Sequence, residues 1–255
     1  MSDIEFTIKD RVAVITLNRP QKLNTVTGEM AAELAKISKH CNDDKDIRAV
    51  ILTGSGEKAF CAGSDIKDLD NYETAWVFRN RDDYCDSIRK ICKPVICAVN
   101  GYAFGGGLEL CLNSDIRLAS ENASFCAAEI KLGWIGGGGV SYLLSHNIGA
   151  SNTAYMLLTG DPVDAGQALD WNLVSRVYPP EKLMDEAQEL ALTISERAPI
   201  AAQLAKDNIR AAYSMPIDMA IRYERDLQTI CISTDDADEG RNAFKEKRPP
   251  DFKGK

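Results

Sequence analysis

The sequence predicts an α/β fold in which short strands recur between helices, followed by a section that is helical alone. Three observations carry that expectation. Short apolar runs bounded by turn residues recur at 12–17, 49–52, 94–99 and 116–119, each with the length of a strand rather than a helix. Apolar residues at helical spacing lie between several of these runs. Beyond Ala150 the chain reads as a succession of helices.

Taken in order, residues 4–8 and 12–17 alternate as paired strands, with Lys9-Asp10 at the expected turn. Thr27 is placed to cap a helix running to about His40, with Met30, Leu34 and Ile37 on its buried side. Residues 49–52 are a short buried strand before the turn Gly54-Ser55-Gly56. The loop GEKAFCAGSD follows, with Asp65 positioned to cap a short helix over 66–69. Residues 73–92 read as helical but weakly patterned, and aromatics are dense there: Tyr72, Trp76, Phe78 and Tyr84. The run 94–99 is a buried strand turned by Asn100-Gly101. Residues 116–119 and 124–126 are further short strands, and Gly136 to Gly139 break the chain before a helix over 140–147. Helices are then expected over 152–158, 164–170, 181–197 and 199–214, with two more from Pro216 and Thr234. Pro199 suits the first turn of its helix.

Bulk properties narrow the function. A chain of 255 residues with 45% hydrophobic and 27% charged residues fits one large domain, or a core with a small appendage. The net charge of −8 argues against nucleic acid or an anionic membrane surface as the main partner. Of the eight cysteines, most sit inside apolar patterns, as free thiols do, and no CxxC pair occurs. His40 and His146 lie far apart, which argues against a zinc site. The acidic opening MSDIEFTIKD resembles neither a signal nor a transit peptide. A reducing cytoplasm is the expected location.

The stretch PVICAVNGYAFGGGLELCLNSD, residues 94–115, is the most informative. The strand over 94–99 is turned by Asn100-Gly101, and Gly105, Gly106 and Gly107 then open a helix carrying Glu109 in its first turn. Bare glycines leave N–H groups free for a developing anion, and Glu109 falls on the same face as Gly106. A dinucleotide-binding turn is a rival, but the glycine spacing is not G-x-G-x-x-G and Glu109 would repel a pyrophosphate. No Gly-Lys-Ser/Thr follows, so a P-loop is excluded. Tight helix–strand packing is the remaining alternative. Two further segments weigh against it: the small-residue turn Ala62-Gly63-Ser64-Asp65, which offers a second free amide, and Glu129 just after a short strand.

The combination of AFCAGSDIKDL, PVICAVNGYAFGGGLEL and AEIKLG resembles the crotonase family, also called the enoyl-CoA hydratase/isomerase superfamily. The resemblance extends to LNRPQKLN, to LLTGDPVDAGQALDWNLVSRVYP and to EGRNAFKEKR, and so covers nearly the whole chain. It implies a crotonase-like spiral of ββα units over 1–195, with 196–255 as a helical trimerisation region. It implies an acyl-CoA substrate whose thioester oxygen is held by the backbone amides of Ser64 and Gly106, each such donor contributing about 3–4 kcal/mol. Because backbone groups would do this, the Ser64 side chain is expected to be dispensable. Both glutamate positions of the family's hydratases are filled, by Glu109 and Glu129. That favours hydro-lyase chemistry, with Glu109 activating water and Glu129 exchanging a proton at C2. The Gly137 amide matches a water-holding position.

The resemblance further places coenzyme A, as part of the substrate, near Lys22, Ala62, Asp65 and Ile66, with Phe244 and Lys247 of the last helix closing over it. It implies a homotrimer, commonly paired into a hexamer. The chain departs from the family pattern at Ala128, where hydratases carry proline, at Trp134-Ile135-Gly136-Gly137, and at Leu143, where an arginine is usual. The acyl group therefore stays open between a straight fatty chain and a branched, cyclic or functionalised one, with Tyr72, Trp76 and Phe78 as expected lining. An isomerase or hydratase-lyase of the same family, or a non-catalytic acyl-CoA binding protein, are the alternative readings.

Overall fold

The structure is a computed structural model describing residues 2–255. Strands β1 (Ile4–Lys9) and β2 (Val12–Leu17) pair antiparallel. Their turn falls on Asp10 and Arg11, both with positive φ (50° and 65°), one residue later than expected. Two left-handed residues match the twist of the flanking strands, so Lys9 stays in the ladder opposite Val12. Thr27 caps α1 (Gly28–Asp43) by accepting the Met30 N–H at 3.2 Å, and Met30, Leu34, Ile37 and Cys41 form its buried stripe.

Repeated ββα units follow. Strands β3 (Ala49–Gly54) and β4 (Ala59–Cys61) lead to the short helices α2 (Ile66–Leu69), α3 (Ala75–Arg79) and α4 (Tyr84–Arg89). Strands β5 (Val95–Val99) and β6 (Tyr102–Phe104) lead to α5 (Gly106–Leu112), and β7 (Ile116–Ser120) and β8 (Ser124–Cys126) lead to α6 (Val140–Thr159). The expected helices over 140–147 and 152–158 are halves of α6, which bends where Gly149 leaves helical geometry. Strand β9 (Val163–Asp164), α7 (Ala165–Asp170), β10 (Arg176–Tyr178) and α8 (Leu183–Ser195) complete the core. Helices α9 (Pro199–Ala212), α10 (Ile217–Ile232) and α11 (Asp235–Glu246) follow.

From β3 to β8 successive strands alternate between two sheets, which makes the chain a spiral. The first sheet has the order β1-β2-β3-β5-β7-β10 and is parallel from β2 onward. The second has the order β4-β6-β8-β9. Strands β3 and β5 are buried along their whole length, as a parallel sheet covered on both faces requires. One face packs on α1, α4, α5 and α6; Leu183, Ala187 and Ala191 of α8 cover the other, against Ile51, Ile96 and Leu118. Helix α9 is joined to this core by a buried cation: Lys206 lies 2.5 Å from Asp115 and donates to the Lys93 carbonyl at 2.7 Å. Among the described residues no helix is long and apolar enough to cross a membrane.

Candidate active site

The second sheet sets the site. Its strands are short, so β4 and β6 each end quickly and deliver their following turns side by side. Helix α5 packs directly against β4, because a side chain at Gly107 would collide with the Cys61 carbonyl. Gly63 has a φ of 95°, and the Gly106 nitrogen lies 3.1 Å from where its Cβ would stand. The turns at Ser64 and Gly106 are therefore adjacent. Neither the Ser64 nor the Gly106 N–H has an acceptor among the described residues, although Val26 accepts from Asp65 and donates to Gly63 on either side.

These turns open onto a cavity of about 1050 Å³. Ser64, Gly106, Glu109, Glu129 and Gly137 line it, as do Lys22, Ala62, Asp65 and Ile66. Phe244 and Lys247 do not: α11 lies away from the cavity of its own chain, and Phe244 is 86% exposed. Of the expected aromatic lining only Phe78 is present. Tyr72 meets Phe78 edge-on at 5.2 Å from outside, and Trp76 is 71% exposed. Trp134 lines the cavity and is 44% exposed, so it is no core residue.

The two glutamates face this one space from different backbones. Glu109 is 5% exposed on α5. Its Oε1 accepts the Gly138 N–H at 2.7 Å, and the adjacent Gly137 lines the cavity. Burial pushes the Glu109 pKa up to about 7; the negative charges of Glu129 and Asp83 push the same way, against the amides of Gly138 and Val140. Glu129 lies on a 3₁₀ turn (Ala128–Leu132) and is also raised, chiefly by burial. Its Oε1 stands 3.4 Å from the position a side chain at Gly105 would occupy, next to the Gly106 amide. The cavity thus presents two free N–H groups and two carboxyl groups, both raised chiefly by burial above the usual carboxylate range.

Several lining residues escape a reading of the sequence. Arg19, inside the LNRPQKLN motif, is fixed by the Thr25 carbonyl at 2.8 Å and by Asp65 at 3.2 Å. Arg81 and Asp83 pair at 2.7 Å, with the guanidinium 4.2 Å above the Phe78 ring. Tyr84 packs its hydroxyl over Gly106, where any side chain would strike it. All come from segments without clear periodicity. Asp83 alone left a usable signal, as an acidic residue before a short helix, where it accepts the Cys85 N–H.

A family profile described as Enoyl-CoA hydratase/isomerase matches residues 7–255. The chain belongs to the enoyl-CoA hydratase/isomerase family. Its relatives include a probable mitochondrial enoyl-CoA hydratase of Dictyostelium discoideum, 40% identical over 97% of this chain and 89% of that one. They also include an (E)-benzylidenesuccinyl-CoA hydratase of Thauera aromatica, 38% identical over 97% of both chains. A solved enoyl-CoA hydratase structure from Bacillus anthracis superimposes over the full length of both chains with a TM-score of 0.94 at 35% identity. Membership in the enoyl-CoA hydratase/isomerase family agrees with the ββα spiral and with the helices that follow it.

Proposed function

We propose that this chain is a hydro-lyase of the enoyl-CoA hydratase type, adding water reversibly to a 2-enoyl-CoA thioester through Glu109 and Glu129. The observation that carries the reading is the convergence of both carboxyl groups and two unpaired N–H groups on one cavity. The Ser64 and Gly106 amides hold the thioester oxygen and polarise the conjugated double bond. Ionised Glu109 takes a proton from water as its oxygen attacks C3. The electron pair moves onto the thioester oxygen as an enolate. Protonated Glu129 then delivers its proton to C2, and the carbonyl re-forms. Each cycle leaves one proton on the pair, so it passes back between the carboxyls before the next turn. The reverse sequence removes water.

The CoA moiety is assigned to the end of the cavity lined by Arg19, Lys22, Ala62, Asp65, Ile66 and Lys67, whose cations offset a chain of net charge −8. The acyl group points toward Phe78, Leu132, Trp134 and Ile135. A straight short enoyl chain is the first substrate to assay. The relative named for benzylidenesuccinyl-CoA, together with Phe78, Trp134 and Arg81 in the lining, supports an aromatic or functionalised acyl group as the second. Purified protein is to be tested on a panel of enoyl-CoAs of different shapes, following loss of the conjugated thioester's absorbance. Turnover of at least one is the expected result, and tight CoA binding without turnover of any overturns the reading.

Assembly as a homotrimer, paired into a hexamer, is part of the same proposal. Ile209, Ile217, Met219 and Ile230 stand exposed on α9 and α10 and suit burial between copies. Phe244, exposed on α11, then closes over the coenzyme of a neighbouring copy rather than its own. Light scattering of the purified protein reads the mass directly. A cytoplasmic location suits eight free thiols, six of them buried; cell fractionation tests it.

A further inference from the structure

Two hydroxyls in the cavity wall carry more protons than their partners can use. Ser64 Oγ and Tyr84 Oη lie 3.0 Å apart, and neither makes another hydrogen bond among the described residues. Each has one proton, and a single bond between them consumes one of the two. Both residues line the cavity, and Tyr84 is only 8% exposed, so the remaining O–H has the cavity as its outlet. The phenol oxygen packs over the Gly106 backbone, where an added side chain would strike it. The spare proton therefore sits beside the two free N–H groups already assigned to the thioester oxygen.

We infer that Tyr84 donates a third hydrogen bond to the thioester oxygen, with the Ser64 hydroxyl donating in turn to the phenol oxygen. This inference rests on the hydratase reading above. The direction of the relay follows from acidity. A phenol is a far stronger acid than an aliphatic alcohol, so its O–H belongs on the acceptor that becomes anionic, and a bond received at its own oxygen strengthens the one it gives. Burial holds the Tyr84 phenol well above its usual range, so it stays a donor throughout the working pH. A bond to an oxygen that gains charge is tighter in the enolate-like transition state than with substrate at rest, so it acts on kcat more than on KM. Ser64 then contributes twice, through its amide and through its side chain, which the sequence alone marks as dispensable.

The experiment compares wild type, Tyr84→Phe and Ser64→Ala as full-length proteins, first in steady-state hydration of the best enoyl-CoA. A second readout is the carbonyl stretching frequency of the bound enoyl thioester, recorded by vibrational difference spectroscopy in the Glu109→Gln background to suppress turnover. Tyr84→Phe is expected to lower kcat by about ten- to a hundredfold with KM little changed, and to return the stretch toward its value in water. Ser64→Ala is expected to do the same to a smaller extent, about two- to fivefold. An unchanged kcat in Tyr84→Phe, or a lowered kcat with an unchanged stretch, overturns the inference. Should Tyr84→Phe not fold, a Ser64→Ala stretch identical to wild type overturns it as well. If wild type hydrates nothing in the panel yet its bound carbonyl is polarised and Tyr84→Phe relaxes it, the hydratase reading fails while the third donor stands.

Discussion

Glu109 and Glu129 look into one cavity from segments built in opposite ways. Every residue of α5 is buried, and the Glu109 carboxylate is pinned by the Gly138 N–H. The 3₁₀ turn of Glu129 has no buried residue, and its carboxylate accepts no hydrogen bond from another residue among those described. On the proposed mechanism the difference amounts to a division of labour. A fixed carboxylate suits holding a water at a set angle to C3, whereas a looser one can approach C2, give its proton and withdraw.

The strongest way to break this comparison is to remove each carboxylate in turn. Glu109→Gln and Glu129→Gln should each lower hydration by about a thousandfold, within the range for a lost acid or base. They should differ in heavy water: Glu109→Gln keeps slow deuterium exchange at C2 of a saturated acyl-CoA, and Glu129→Gln loses it. Equal exchange in both variants removes the distinction.

Stability against pH sharpens the same contrast. The folded-state pKa of Glu109, about 7, lies above its ordinary value of 4.5, so its proton favours the fold. That contribution is complete below about pH 4.5 and is lost as pH rises through about 7. Glu109→Gln cannot ionise. It should match wild type in denaturant titrations at pH 4 and exceed it at pH 8 by about 3 kcal/mol.

A smaller effect tests the packing behind the pair. Gly106→Ala should cost about 1–3 kcal/mol through collision with the Tyr84 hydroxyl, and Tyr84→Phe should recover part of that loss. Additive costs in thermal denaturation would place the strain elsewhere. The smallest expected change comes from Asp83→Asn, since the Asp83 charge helps raise Glu109. The acidic limb of the activity profile should move to lower pH, and an unmoved limb would show that Asp83 is screened.

Much of the fold was legible because its signals are local. Thr27 before Met30, Leu34 and Ile37 announces α1, and the apolar runs announce β3 and β5. Strands β4 and β6 were not legible, because each lies against glycine turns that read as loop and pairs with distant segments. Helix α6 reads as two helices because Gly149 interrupts a pattern that the structure bends rather than ends. In the site, the residues taken from the family motifs line one cavity as read: Ala62, Ser64, Asp65 and Ile66 from the first, Gly106 and Glu109 from the second, and Glu129 from the third. Arg81 and Tyr84 were missed because no periodicity in residues 73–92 says which side chains face inward. Phe244 and Lys247 were placed by resemblance, and a single chain cannot bring them to its own cavity.

The ion pair between Lys206 and Asp115 ties the fate of the helical tail to the catalytic half. Asp115 also receives the Val95 N–H at 2.8 Å, at the start of β5, whose turn leads into β6 and from there to Gly105. A chain truncated ahead of α9 would leave that carboxylate half-buried without its cation, beside the strand that precedes the glycine-bearing segment. Helices that look modular in the sequence are thus tied into the foundation of the core.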